Sequence, residues 1–323
     1  MIVTLTANPS HDRTVTLSEP LRHGAVQRAS SVLSQAGGKG VNISRASVAA
    51  GVPTLAVLPA PGDDDPFVLE LLAAGIDCRP VDHPGDLRVN ITISDPDGTT
   101  TKLNSPGPVM TDATRAALTD ALQRRTREGD WVVLAGSLPP GAPAEWYAEL
   151  VDALVGTGAR VAVDASDEPL RALVDGLGGA APHLMKPNGH ELASLTGHHG
   201  DDLEKEPAAA ARAALELVGR GVESVLVTLG GNGAVLVSSL ARGRAWHAVP
   251  PPTTVVSTVG AGDSSLFGYL LASLEDRPPA DRLALAVAYG SAAAGLPGTT
   301  IPHPQQVDPG QIRVIDLDLT QGD

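Results

Sequence analysis

Aromatic residues are nearly absent. Three Trp, three Tyr and two Phe make up 2 % of the 323 residues, so a core has to be built from Ala, Val and Leu. The single cysteine, Cys78, excludes an internal disulfide and any all-cysteine metal site, and it reads as a small buried residue near a strand. No apolar run approaches the ~18 residues of a membrane span. The opening Met1-Ile-Val-Thr-Leu-Thr-Ala-Asn-Pro9 lacks a basic n-region followed by an apolar stretch and a cleavage site. A cytoplasmic protein with no membrane partner is expected. Positive charge is scarce as well: 23 Lys and Arg against 37 Asp and Glu leave a net charge of −14. That balance argues against nucleic acid as a partner, and its field repels small anions too. Any site for a phosphorylated ligand then rests on a few local cations. Of only four lysines, Lys39, Lys102 and Lys186 lie in segments that stand out on other grounds, and Lys205 falls in a solvated run. Nine histidines show no metal-ligand spacing, so no zinc site is expected.

With 42 % hydrophobic and 19 % charged residues, the chain is a soluble globular protein long enough to bury a large core. Strand-like runs at Ile2–Leu5, Thr54–Leu58, Trp131–Leu134, Arg160–Val163, His183–Met185 and Ser224–Leu229 alternate with amphipathic helices near 41–50, 66–74, 112–126, 144–155, 168–175 and 206–219. This rhythm predicts an α/β fold with a mainly parallel sheet covered on both faces. Two regions break it. Thr14–Leu17 with Gln27–Ser34, and Arg88–Ser94 with Thr99–Leu103, alternate residue by residue with no helix between, the second pair joined by the turn Asp95-Pro-Asp-Gly98. These four strands are predicted to form a small separate sheet, a lid on the main body.

The most informative segment is Ser257-Thr-Val-Gly-Ala-Gly-Asp263. A β-type approach through Val255 and Val256 leads into glycines and then an apolar helical stretch. Small residues leave N–H groups uncovered at a helix start, which suits a phosphoryl group. Asp263 stands in the first turn, where a carboxylate can take a proton from a hydroxyl. A plain glycine-eased strand-to-helix turn reads the same way in isolation. Ala36-Gly-Gly-Lys-Gly-Val-Asn42 is a glycine loop opening a helix, but Leu33 and Gly40 stand where a Walker loop needs Gly and Ser or Thr. Its glycines admit a small ligand and Lys39 and Asn42 supply donors, unless the loop is a tight turn with a solvated lysine. Asp12 follows the first strand at its carboxyl end, as a partner for sugar hydroxyls or an ordinary turn aspartate. In Lys186-Pro-Asn-Gly-His-Glu191, Asn188 and Glu191 can hold a hydrated Mg²⁺, form a capping box, or do both. Leu229-Gly-Gly-Asn-Gly233 is a glycine turn that suits a nucleotide phosphate or a simple hairpin.

Together these segments, with Gly136-Ser-Leu-Pro-Pro-Gly141 and Val163-Asp-Ala-Ser166, resemble the PfkB (ribokinase-like) carbohydrate kinases over nearly the whole chain. Arg88-Val-Asn-Ile and Lys102-Leu-Asn-Ser-Pro-Gly-Pro108 look most like the branch acting on fructose 1-phosphate. The resemblance implies a single ribokinase-like three-layer domain over residues 1–323, with a β lid from about 10–38 and 88–104. It implies ATP-dependent phosphorylation of a phosphorylated ketohexose, fructose 1-phosphate first, with tagatose 6-phosphate or fructose 6-phosphate as alternatives. Asp263 would be the base, and the amides of Gly260, Ala261 and Gly262 the anion hole. Asp12, Gly38, Lys39 and Asn42 would bind the sugar, Arg88 and Lys102 its phosphate, and Ser137 would lie near the phosphates. Lys186, Asn188 and Glu191 would serve ATP and Mg²⁺, with Thr228, Gly230, Gly231 and Gly233 lining the nucleotide groove. The expected partners are a small sugar phosphate and a second copy of the chain meeting it through the lid. A non-catalytic sugar-phosphate sensor on the same fold is the reading from another class. Two positions depart from the family pattern: Phe267 adds bulk four residues after the base, and Leu296 stands where some relatives carry Asn.

Overall fold

The computed structural model describes residues 1–240 and 244–319. The chain begins with β1 (Ile2–Thr6), β2 (Ser10–Leu17), β3 (Ala29–Gly37), α1 (Lys39–Ala49), β4 (Thr54–Ala60), α2 (Pro66–Ala73) and β5 (Asp77–Asp82). It continues through β6 (Arg88–Ser94), β7 (Thr100–Leu103), α3 (Asp112–Arg125), β8 (Trp131–Ala135), α4 (Trp146–Leu154), β9 (Arg160–Asp164), α5 (Asp167–Asp175) and β10 (Leu184–Met185). Next come α6 (Gly189–Thr196), α7 (Gly200–Lys205), α8 (Pro207–Gly219), β11 (Ser224–Thr228), β12 (Ala234–Ser238) and β13 (Arg244–Val249). The last elements are α9 (Ala261–Leu274), α10 (Pro279–Ala294) and β14 (Arg313–Asp318).

Ten strands form one sheet in the order β14-β13-β12-β11-β10-β9-β8-β1-β4-β5. From β5 to β11 every pairing is parallel, and β12 to β14 extend the sheet in antiparallel fashion. Helices cover both faces, and the strands show it residue by residue. In β1, Val3 and Leu5 enter a core shared with α3, α4 and α8, whereas Ile2 points into the core under α1, α9 and α10. In β8, Val132 and Leu134 join the first core and Trp131 and Val133 the second. Such two-sided burial explains why these strands read as continuous apolar runs. All eight aromatic side chains are buried, the large fillers of a core otherwise made of aliphatic residues.

The second sheet has the order β3-β2-β6-β7, built from the four segments that broke the strand–helix rhythm. Asp95 and Gly98 close its hairpin turn, and β2 lies parallel to β6. Residues 29–34 of β3 are exposed along the edge.

Several expectations needed correction. The β-type approach through Val255 and Val256 is not a strand: both side chains are exposed and the segment is irregular. Pro250-Pro-Pro252 ahead of it has no N–H to give a ladder, and the Val256 amide turns instead to the Ala294 carbonyl. The run of strands missed β5, whose Asp77-Cys-Arg-Pro-Val-Asp82 is charged and carries a proline at the sheet edge, and also β13, β14 and α10. Phe267 lies fully buried, edge-on to Tyr289 at 5.1 Å between ring centres, so its bulk is absorbed between α9 and α10.

Candidate active site

β1, β8, β9, β10 and β11 all end at the same edge of the large sheet, and a cavity of about 460 Å³ opens there beneath the small sheet. A second groove, of about 800 Å³, runs past the β11–β12 turn. Asn188, Thr228 and Gly262 line both. This is the carboxyl-end crevice in which open α/β sheets take ligands.

Helix α9 starts between the two spaces. Gly260, at its N-cap, has φ +79°, a left-handed conformation that a side chain disfavours, and no side chain caps the helix. The Ala261 amide turns back toward the Thr258 carbonyl at 3.4 Å. Lys186 reaches this turn: a Cβ on Gly262 would stand 3.4 Å from its Nζ. Asp263 follows in the first turn, only 7 % exposed, and Asn42 Nδ2 donates to its Oδ2 at 2.8 Å. Burial raises the Asp263 carboxyl from its ordinary value of 3.8 to about 6. Asp164 adds to the rise, and Lys39, the Asn42 hydrogen bond and Lys186 oppose it.

Asn42 and Lys39 come from α1, which opens at Gly38. That residue has φ +125°, and a Cβ there would meet Thr6 Cγ2 at 2.6 Å, so the helix can pack against the end of β1 only as glycine. Lys39 Nζ lies 2.7 Å from Asp164 Oδ1, and Lys186 Nζ lies 3.0 Å from Asp164 Oδ2. Asp164, at the end of β9, is 1 % exposed. Burial alone would raise its pKa, but Lys186 and Lys39 hold the carboxylate below the usual range. Burial likewise works against the Lys39 ammonium, yet Asp164 and Asp263 outweigh it and raise its pKa.

On the small sheet, Asp12 is a strand residue rather than a turn residue. Ser10 Oγ donates to its Oδ1 at 2.7 Å and Asn90 Nδ2 does so at 3.1 Å. Arg88 begins β6 with Nε on the Asn8 carbonyl and Nη1 on the Ser105 carbonyl, both at 3.2 Å. Lys102 pairs with Thr92, four residues along the strand from Arg88. The two cations therefore line one cavity from different depths of the sheet instead of facing each other across it. Ser137 lines the same cavity from the loop after β8.

On the far side, Asn188 Oδ1 accepts the Glu191 N–H at 2.7 Å while Glu191 Oε2 accepts the Asn188 N–H at 2.8 Å. The capping box is therefore present, and it leaves Glu191 Oε1 outside the cap. Gly230, Gly231 and Gly233 form the β11–β12 turn and line the second groove with Thr228.

Residues 7–306 match the pfkB family of carbohydrate kinases. The chain belongs to that family. With it comes the enzyme class expected from the motifs, an ATP-dependent sugar-phosphate kinase. A 1-phosphofructokinase of Xanthomonas campestris pv. campestris is 37 % identical over 295 residues, covering 89 % of each chain. The 1-phosphofructokinase of Rhodobacter capsulatus is 37 % identical over 313 residues, covering 95 % of this chain and 94 % of the relative. Among solved structures, Escherichia coli phosphofructokinase-2 in complex with substrates and products superposes with a TM-score of 0.85 at 30 % identity, covering 94 % of this chain and 96 % of that one.

Each site residue named from the sequence lines one of the two spaces of this pfkB kinase. Asp164 has no predicted role, although its segment is among those carrying the resemblance. The signal was an acidic residue closing an apolar strand, and only the packed structure puts two lysines around it. Asn8, Asn90 and Asn104 also line the first cavity, with no role foreseen. Among the described residues, buried Oδ1 of Asn8, of Asn90 and of Asn42 has no hydrogen-bond partner. Buried acceptors of this kind are free to take a hydrogen bond from a bound molecule or a water.

Proposed function

We propose that this kinase transfers the γ-phosphoryl group of ATP to the 6-hydroxyl of fructose 1-phosphate, giving fructose 1,6-bisphosphate. The observation that carries the reading is Asp263: a buried carboxylate raised to about 6, held by Asn42, in the first turn of an uncapped helix where the two spaces meet. A group with that pKa is largely ionised at neutral pH yet basic enough to accept a proton. Asp263 takes the hydroxyl proton as the oxygen attacks the phosphorus in line. Donors of the glycine turn and the Lys186 ammonium neutralise the charge that develops on the transferring group. The sugar sits between Asp12, Lys39, Asn42, Asn8 and Asn90, with Arg88 and Lys102 toward its phosphate. The nucleotide lies along the β11–β12 glycine turn.

The residues fit a hydrated Mg²⁺. No cluster of three or more His, Cys, Asp or Glu that could cage a metal occurs among the described residues. Glu191 Oε1 stays outside the capping box beside the cavity, and Mg²⁺ commonly keeps its waters and rests on phosphates with one or two carboxylates. Glu191 and Asn188 would hold it through water, and when bound it supplies charge neutralisation on the phosphates. The small sheet acts as the lid that excludes water, and its exposed β3 edge, with Val32 and Leu33 outward, is the surface where a second copy would meet it. Among the described residues no helix is long and apolar enough to cross a membrane.

Fructose 6-phosphate is the second reading, favoured by the 30 % identical E. coli phosphofructokinase-2, one structure of which holds fructose-6-phosphate. A sensor with no activity is disfavoured because both the carboxylate of Asp263 and the glycine turn are present. The test is a coupled ADP-release assay across fructose 1-phosphate, fructose 6-phosphate and tagatose 6-phosphate. The highest kcat/KM is expected on fructose 1-phosphate, and no turnover on any of the three would overturn the reading.

A further inference from the structure

The small sheet meets the loop after α10 at a point that the proposed reaction leaves unused. Gln35 Nε2 donates a hydrogen bond to Thr299 Oγ1, across 264 positions of sequence. Thr299 lies in the loop after α10 and lines the sugar-side cavity, and its Cα is 3.8 Å from where a Cβ on Gly260 would stand. Gly298, beside it, has φ +60°, and a Cβ there would stand 4.0 Å from Thr14 Oγ1 on β2. One end of this contact thus touches the glycine turn that opens α9.

The other end belongs to the sugar-side strand pair. Gln35 is directly opposite Asp12 in the β2–β3 register, so both side chains leave the same face. The backbone under Gln35 is fixed: the Ala36 amide donates to Glu70 Oε1 at 2.8 Å, and its carbonyl accepts from Arg45 Nη2 at 2.9 Å. Arg45 and Glu70 are themselves paired at 3.0 Å. Most of β3 hangs exposed at the edge, but its last residues are clamped to the body at the point where Gln35 reaches across.

We propose that Gln35 is a positioning residue whose amide, acting through Thr299, holds the Asp12 strand pair in fixed relation to the Gly260–Asp263 turn. The inference rests on the site reading above. A hydroxyl held on Asp12 and a phosphoryl group held at the turn then approach with a set separation. Small errors in that separation are costly, since misplacement by about 1 Å can lose up to ~10²-fold in rate. Gln35 itself lies outside the cavity and acts through Thr299, so loss of its amide lowers turnover more than it weakens binding.

The experiment is a double-mutant cycle on Gln35→Ala and Thr299→Val, with ATP and whichever of the three ketohexose phosphates turns over fastest. Each single variant is expected to lower kcat about tenfold, with both KM values within threefold of wild type. The double variant should be no worse than the poorer single variant, and Thr299→Ser, which keeps the hydroxyl, should restore kcat to within threefold. Hydrogen exchange of the substrate-free protein gives a second readout: amides of 258–264 should exchange at least threefold faster in Gln35→Ala, while those of 131–135 stay as they are. Multiplying effects in the double variant, or unchanged kcat and unchanged exchange in the singles, overturn the tie. Asp263→Asn assayed alongside separates the two layers: full activity there overturns the site reading itself, and the exchange measurement still decides on Gln35.

Discussion

Asn42 donates to the buried carboxylate of Asp263 across 221 positions of sequence, at 2.8 Å. The bond joins α1, which starts at the glycine loop around Gly38, to α9, which starts at the Gly260 turn. It favours the ionised form of Asp263 and so works against the burial that raises its pKa to about 6.

Removing that donor with Asn42→Ala should therefore move the acid limb of the kcat/KM–pH profile upward from near pH 6. At pH 7 activity should fall about tenfold or more, the range for loss of a charge-assisted hydrogen bond. A profile measured from pH 5 to 9 checks both. An acid limb that stays in place or shifts downward would contradict the assignment of that limb to Asp263.

Asp164→Asn should shift the same limb the other way. The Asp164 charge raises the Asp263 pKa, so its removal lowers it. The variant also loses stability at neutral pH. Asp164 has its folded pKa held below the unfolded value, so its contribution is present above the ordinary carboxylate value of 3.8 and is lost as pH falls through the folded pKa. Thermal melting of wild type and variant should therefore differ most near neutrality and converge in acid. A variant with wild-type Tm at pH 7 would show that the lysines need no counter-charge.

Lys102 is exposed and carries no ion pair among the described residues, so Lys102→Ala can be read without a folding penalty. The KM for sugar phosphate should rise roughly ten- to hundredfold, as expected for loss of a charge-assisted bond, while the KM for ATP moves less than threefold. Arg88→Ala should raise the same KM and also lower Tm, because Arg88 pins the Asn8 and Ser105 carbonyls. If neither variant changes the sugar KM, the phosphate is held elsewhere, with Lys39 the next candidate.

Much of the fold was legible because local patterns and long-range packing agree. Two-sided burial makes β1, β4, β8, β9 and β11 continuous apolar runs, and turn residues such as Asp95-Pro-Asp-Gly98 mark the small sheet. β5 and β14 were hidden because an edge strand of charged residues carries little apolar signal. At the site, glycine loops and strand ends pointed to residues that the fold gathers around two cavities, but charge partners left no such mark. Asp164 gains its meaning only from Lys39 and Lys186, which lie 125 and 22 positions away and converge on it in three dimensions. The contact of Gln35 with Thr299 has no sequence signature at all.

Asp263→Asn, assayed for turnover and thermal stability in the same preparation, tests the central claim most directly. Because the folded pKa of about 6 lies above 3.8, the folded state binds the extra proton between those values, and stability falls as pH rises through that window. Removing the charge should therefore leave Tm at pH 8 equal to or above that of wild type. The same variant should bind ATP and sugar phosphate within a few-fold of wild type and lose at least ~10²-fold in kcat. Turnover within threefold of wild type in a folded Asp263→Asn protein would contradict the account.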